Sequence, residues 1–451
     1  MQLPLSFIQS IQHTKGFSEK DFLALHQSGK QVTSIRINPQ KWNEQCIAEN
    51  RLQAQVPWCT YGYYLKERPS FTLDPLFHGG AYYVQEASSM FLYHILQQTV
   101  IQGAGKKVLD LCAAPGGKST LLATFFEDGL VVSNELIKSR VNVLSENLTK
   151  WGSPNTIITN NDPKDFSALK NFFDVLVIDA PCSGSGMFRK DINAVNEWSE
   201  HNVALCNMRQ QRIVEDAMDS LNEGGMLIYS TCSYSEEENE MIADFMAEKF
   251  NLTTVQVTLE AEWGVVESVS AKQNYGYRFW PDQLAGEGFF VTVFRKNKPA
   301  NHDYLLHKPL VKASKPETEK LHSFYTYHPG YFLFKQGDYF RLISEEWKMF
   351  LEQLLKYLYI KKAGVEIGTI KGKDIIPSHE LALSLLDTKG LPKVEVDRPT
   401  ALEYLRRKDI ALPCDKGWNI VVFCGLNLGW VKVLPNRINN YYPNEWRILK
   451  Q

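Results

Sequence analysis

One stretch constrains the fold more than any other: Val108-Leu-Asp-Leu-Cys-Ala-Ala-Pro-Gly-Gly-Lys118. The mostly apolar run Val108 to Leu111 meets small residues that force a tight turn, and Ser119 to Phe126 then reads as a helix. Strand, glycine-containing turn and helix open a nucleotide-binding α/β unit, in which backbone N–H groups can approach a cofactor closely. Spacing separates three cofactor classes. A dinucleotide fingerprint needs G-x-G-x-x-G after the strand, whereas Gly103 and Gly105 precede it. A P-loop needs G-x-x-x-x-G-K-[ST]. Gly117-Lys-Ser119 fits its tail, but Cys112 stands where the first Gly belongs and Pro115 stiffens the loop.

The third class is S-adenosylmethionine, and the downstream residues favour it. Leu130 to Glu135 is a second strand ending in a carboxylate, placed where a doubly wound sheet carries the acid that grips ribose hydroxyls. Thr156 to Asp162 is a third, its acid suited to the adenine edge. Phe173 to Asp179 is a fourth, running into Ala180-Pro-Cys-Ser-Gly184, and Gly225 to Cys232 is a fifth. Any one of these end residues could be an ordinary core or turn residue. Five in register lie where open α/β sheets bind ligands.

Cys112-Ala-Ala-Pro-Gly-Gly-Lys118, Asp179-Ala-Pro-Cys182 and Thr231-Cys-Ser233 resemble the signature motifs of the NOL/NOP/Sun (Fmu-type) RNA cytosine-5 methyltransferases. The resemblance covers the whole chain. Leu73 to Ser89 looks like the segment leading into the catalytic domain. Gly184-Ser-Gly-Met-Phe-Arg-Lys190 and Asn436 to Pro443 are most similar to the bacterial 16S ribosomal RNA subgroup.

Composition and patterning divide the chain. Residues 1–95 form an N-terminal α/β region, with a helix over Phe17–Leu25 and a strand over Thr33–Asn38. Its aromatics Trp58, Tyr63 and Tyr64 near Lys66 and Arg68 suit single-stranded bases, or equally a small domain packed on the next one. The resemblance implies that this region assists RNA binding. Residues 96–300 are the catalytic domain, a Rossmann-like methyltransferase fold. In it one helix is expected to bury Ile137, Val141, Leu144 and Leu148. Another buries Val214, Ala217, Met218 and Leu221 and ends at Gly224-Gly225. Glu236-Glu-Glu238 reads as an acidic first helical turn. Residues 301–325 read as a linker, 326–390 as strands and a helix at Glu345–Tyr359, and 391–451 as paired strands of a small β-barrel, for which the resemblance implies a PUA-like RNA-binding module. Residues 301–451 carry 23 Lys and Arg against 17 Asp and Glu, while the whole chain has a net charge of −2. The basic end is therefore the expected footprint for phosphate. The chain has no membrane-length apolar run and no signal-like N-terminus. No C-x-x-C pair occurs among its eight cysteines, which argues against a metal site and for reduced thiols in a cytoplasm; a monomer is expected.

Cytosine C5 is too weak a nucleophile to take a methyl group from a sulfonium unaided. A thiolate adding at C6 makes C5 enamine-like, so the reaction needs a cysteine and a hydrogen-bonding partner for the ring beside the methyl donor. Cys182 and Cys232 both end strands beside the cofactor turn, and either could be the nucleophile; a buried, inert cysteine is the ordinary fate of each. The resemblance assigns the attack to Cys232, release of the methylated base to Cys182, and contact with the cytosine ring to Asp179. Lys118 either orients the base, lowers a thiol pKa or is a solvated turn residue. The cofactor set expected is Cys112, Ala113, Ala114, Pro115, Gly116, Gly117 and Lys118, with Glu135 on the ribose, Asp162 near the adenine and Asp179 alongside. The substrate implied is RNA, 16S ribosomal RNA or the small subunit. Alternatives are a transfer RNA or DNA cytosine methyltransferase, the latter acting through Cys182, and a non-catalytic ribosomal RNA assembly factor.

Overall fold

Long apolar runs such as Leu130–Asn134 and Thr156–Thr159 bury every residue, the mark of strands covered on both faces. The computed structural model, which describes residues 3–49, 52–100, 105–297 and 306–450, gathers these runs into one ten-stranded mixed sheet. Its strands are β1 (Lys107–Asp110), β2 (Leu130–Asn134), β3 (Thr156–Thr159), β4 (Phe173–Asp179) and β5 (Leu221–Thr231), then β6 (Leu252–Thr254), β7 (Val266–Val269), β8 (Tyr275–Phe279), β9 (Phe289–Lys296) and β10 (Ile360–Ala363). They lie in the order β7-β8-β9-β5-β4-β1-β2-β3-β10, with β6 paired to β9. Strands β1 to β5 are parallel and the additions antiparallel. The order reverses at β1, so the crevice beyond the strand ends opens at the Cys112–Lys118 turn. Alternation along the strands divides the core in two: Leu109, Val132 and Leu176 share one apolar cluster, and Val108, Val131 and Val175 the other.

The helices follow the apolar spacing, with two departures. Lys138–Trp151 buries Val141, Leu144 and Leu148, but Ile137 is its N-cap and half exposed. Glu200–Ala217 buries Val214 and Ala217. It then gives way to a short 3-10 turn at Met218–Ser220, and β5 begins at Leu221, so Gly224-Gly225 lies within a strand rather than ending a helix. The ladder with β4 is taken up at Leu221 and resumes at Met226, and the two glycines form the bulge between them.

The flanking regions are less separate than their composition suggests. A four-stranded antiparallel sheet forms over Ser34–Ile37, Leu52–Gln55, Gly62–Leu65 and Tyr82–Val84, preceded by the helix Glu19–Ser28. Trp58 belongs to the core: it packs edge-on to Phe91, Trp263 and Phe279, and its Nε1 donates to Ala87 O at 2.7 Å. Within the stretch expected as a linker, Lys315–Phe324 is a helix. Ser314 and Glu317 form its capping box with Pro316 in the first turn, a start signal that its polar composition masked. A five-stranded antiparallel sheet follows over Val311–Lys312, Tyr331–Gln336, Tyr339–Ser344, Val365–Lys371 and Asp374–Pro377. This region reaches back into the catalytic body, because β10 pairs with β3 and Trp347, Leu351 and Leu354 join the cluster of Leu109 and Phe173. The catalytic sheet therefore does not close at residue 300. The C-terminal sheet, Lys393–Glu395, Gly417–Phe423, Leu426–Leu434 and Arg437–Asn440, contains the expected paired strands. Tyr404, on a helix packed against it, and Leu428 share a core with Ile35, Leu76 and Tyr82.

Candidate active site

The turn after β1 is held from all sides. Ala113 N–H donates to Asn134 O at 2.8 Å, Arg140 Nη2 to Ala114 O at 2.6 Å, and Asn147 Nδ2 to Pro115 O at 2.8 Å. Gly116 sits at φ +114°, a conformation few other residues adopt, and starts the helix Gly117–Phe125. The first N–H groups of that helix have no partners within it and form an anion-friendly end. From the N-terminal sheet the wholly buried Arg36 reaches Thr120 Oγ1 at 2.5 Å and Gln85 Oε1 at 2.8 Å, with its guanidinium 4.5 Å from the Trp151 ring centre.

Beside the turn lies a cleft of about 580 Å³. Cys112, Ala113, Ala114, Pro115, Gly117, Lys118, Asp179 and Cys232 line it from the sheet edge; Ser34, Arg68, Tyr83, Gln85 and Glu86 face them from the N-terminal region, with Arg140, Lys190 and Phe289. Lys118 Nζ pairs with Asp179 Oδ2 at 2.8 Å, and Ser230 Oγ donates to Asp179 Oδ1 at 2.7 Å. Cys182 lies outside the lining, with its Sγ 3.1 Å from Cys232 Sγ. That hydrogen bond, with burial behind it, holds the Cys182 thiol well above the usual thiol range. Burial also pushes the Cys112 thiol up, which makes it an unreactive wall.

The acids expected at the cofactor stand slightly back. Glu135 is buried behind Arg140; its Oε1 accepts from Ile137 N–H at 2.8 Å and its Oε2 lies 3.3 Å from Arg140 Nη1. Asp162 caps the 3-10 turn Pro163–Ala168 by accepting from Lys164 N–H at 3.2 Å, and neither acid is in the cleft lining. Asp110, fully buried, accepts from Ser119 Oγ at 2.6 Å, while its Oδ1 has no partner. Burial pushes its carboxyl up to about 7. An unpartnered acid oxygen, a buried carboxylate with lone pairs to spare and an open helix N-terminus together fit a sulfonium carrying a ribose and an amino acid.

Sequence reasoning missed three groups here. Arg140 and the buried Glu287 carried no motif signal of their own; Arg189 Nη1 and Lys190 Nζ, from the Gly184–Lys190 motif, lie 3.5 Å and 3.8 Å from Glu287. Glu238, expected in the acidic first turn of a helix, stands ahead of the helix that begins at Glu240 and is fully buried behind the two cysteines.

Three family models match in succession: N-terminal domain of 16S rRNA methyltransferase RsmF over residues 3–87, 16S rRNA methyltransferase RsmB/F over 99–295, and methyltransferase RsmF PUA domain over 391–448. Ribosomal RNA small subunit methyltransferase F of Aeromonas salmonicida is 31% identical over 438 residues, covering 91% of this chain and 90% of that protein. The chain belongs to this family. It is an S-adenosylmethionine-dependent methyltransferase. The Psychromonas ingrahamii member is 30% identical over 94% of this chain and 93% of its own length. A methyltransferase homolog from Pyrococcus horikoshii is 26% identical with a TM-score of 0.51, covering 65% of this chain and 100% of that one. NSun6 from the same organism, solved with SFG, shares the fold at 18% identity and a TM-score of 0.54, covering 66% of this chain and 99% of that one.

Proposed function

We propose that this chain methylates C5 of a cytidine in RNA, and that the RNA is 16S ribosomal RNA. The names of its relatives support the RNA class. The observation that carries the chemistry is the pair of sulfurs, one on the cleft wall and its neighbour 3.1 Å away.

S-adenosylmethionine, held by Cys112 to Lys118 with Glu135 at the ribose, Asp162 toward the adenine and Asp179 alongside, supplies an electrophilic methyl group when bound. Cys232 adds through its sulfur to C6, and the C5–C6 π electrons then make C5 the nucleophile. Once C5 carries the methyl group, its proton leaves to a base, the S–C6 bond breaks and the aromatic ring returns. Cys182 can hand a proton to the departing Cys232 sulfur. The Asp179–Lys118 pair suits cytosine, whose N4 amino group donates to a carboxylate; uracil would set O4, an acceptor, against it. The basic C-terminal module adds contacts to phosphate.

Gels of denatured protein with labelled RNA and S-adenosylmethionine separate the two cysteines. Cys232→Ala should lose both methylation and adduct, whereas Cys182→Ala should attack, methylate and accumulate a protein–RNA adduct, since addition precedes elimination. An adduct from Cys232→Ala and none from Cys182→Ala would reverse the roles. Bisulfite mapping of 16S ribosomal RNA with and without the protein tests the substrate, and an unchanged map refutes it.

A further inference from the structure

Behind the cysteines the carboxylate of Glu238 has no part in the reaction as drawn, yet it is fully buried. Among the described residues it forms no ion pair. Burying such a charge is costly unless hydrogen bonds replace its water, and four do. Oε1 accepts from Ser183 N–H at 2.8 Å and Gln210 Nε2 at 3.2 Å; Oε2 accepts from the hydroxyls of Ser183 and Ser233, each at 2.5 Å. Ser183 directly follows Cys182, and Ser233 directly follows Cys232. One carboxylate oxygen therefore ties the two cysteine loops to each other.

The location explains the need. The loops leave β4 and β5, whose parallel ladder ends with Asp179 opposite Ser230. Beyond that register the loops meet through Gly186 N–H to Cys232 O at 2.8 Å and the Ser183 and Ser233 hydroxyls at 3.2 Å, both of which leave the Cys182 side to Glu238, whereas a proton exchanged between two sulfurs requires them to touch. Asn239 strengthens the same brace: its Oδ1 accepts from Thr231 Oγ1 at 2.6 Å, and its Nδ2 donates to Ser233 O at 2.8 Å.

We propose that Glu238 is a positioning residue whose carboxylate binds the Cys182 and Cys232 loops together and so sets the sulfur-to-sulfur approach used to release the methylated base. The role in release rests on the cytosine-5 reading; the brace itself does not. The negative charge nearby also disfavours a second thiolate at Cys182, which suits a proton donor.

Glu238→Gln keeps an acceptor for Ser183 but replaces the oxygen shared by the serine hydroxyls with a donor. Gly186 N–H to Cys232 O at 2.8 Å and Tyr234 N–H to Ser185 Oγ at 3.0 Å still join the loops, so the variant should fold. The approach of the sulfurs is read without RNA by the rate at which diamide oxidises them. Each thiol gives up one hydrogen to the reagent's N=N bond, yielding its hydrazine and a Cys182–Cys232 disulfide identified by peptide mapping. The rate should fall about tenfold, the equivalent of losing one charge-assisted hydrogen bond of the brace. With RNA and S-adenosylmethionine, Glu238→Gln should accumulate the covalent adduct and lose kcat with KM for RNA unchanged. Ser233→Ala, which leaves the charge in place, should show the same pattern more weakly and carries the test if Glu238→Gln fails to fold. A wild-type oxidation rate in both variants overturns the brace. A Glu238-dependent oxidation rate in a protein that never forms an RNA adduct supports the brace and overturns the proposed reaction instead.

Discussion

Replacing Glu135 tests the cofactor site most directly. Its carboxylate spends one oxygen on Ile137 N–H at 2.8 Å and turns the other to Arg140 Nη1 at 3.3 Å, with the side chain 5% exposed. A carboxylate has about four lone-pair sites, so capacity remains for a ribose diol. A hydrogen bond to a charged group contributes about 1.5–3 kcal/mol, which corresponds to roughly 10- to 150-fold in Kd. Glu135→Gln still accepts from Ile137 but loses the charge and presents an amide N–H₂ to Arg140. S-adenosylmethionine should therefore bind it more weakly by a factor in that range, and Glu135→Ala by no less. Titration calorimetry measures the affinity, and thermal unfolding without ligand shows whether the variant is intact. An unchanged Kd in a folded Glu135→Gln protein removes Glu135 from the site. Arg140 also donates to Ala114 O at 2.6 Å, so Arg140→Ala is the companion variant. If it reproduces the whole loss, Glu135 acts only by holding Arg140 against the turn, and direct contact with the ribose is refuted.

Lys41 Nζ donates to the carbonyls of Gly79 at 3.1 Å, Lys150 at 2.6 Å and Leu383 at 2.6 Å, joining backbone from three parts of the fold. Lys41→Met should cost roughly 2–4 kcal/mol by leaving those carbonyls without a donor; a urea midpoint equal to wild type would sink this. Neither ring nitrogen of His379 has a partner, and burial, reinforced by Lys150, Lys41 and His78, holds its pKa down to about 3 from the ordinary 6.5. A depressed pKa contributes stability that is whole above pH 6.5 and lost as pH falls toward 3. Wild type should accordingly lose stability relative to His379→Phe on acidification, and a difference between them independent of pH across that window contradicts it. Lys432 lies over the Trp418 ring at 5.2 Å, with Arg437 exposed nearby in the same sheet. Replacing both by Ala should lower the slope of log affinity for RNA against log salt by about 0.7 for each single-strand phosphate that is no longer neutralised; an identical slope takes RNA away from this face.

Signals confined to a few neighbouring residues were the ones that could be read along the chain. The runs at Val108, Leu130, Thr156 and Phe173 are strands because apolar residues of that length must be covered on both faces, and each strand end is followed by its acid or cysteine. Val141, Leu144 and Leu148 are buried because their spacing puts them on one helical face. Ile137 fits the same spacing and fails, since the chain has not yet entered the helix there. Trp58 with its cationic neighbours matched a base platform until Phe91 and Phe279 covered it.

The sequence by itself determined the class of site: a glycine turn after an apolar strand, acids at the following strand ends, and two cysteines on the last parallel pair. These depend on local period and turn chemistry, which a single chain segment specifies. Tertiary structure decided which charges became machinery. Glu236, Glu237 and Glu238 are chemically alike in sequence, and only Glu238 is enclosed, because Ser183 comes to it across 55 residues of chain. Arg140 behind the turn, Lys41 at three carbonyls and β10 on the edge of the catalytic sheet have the same origin. A side chain's burial and partners are set by the segments that fold over it, and no window of sequence around it contains them.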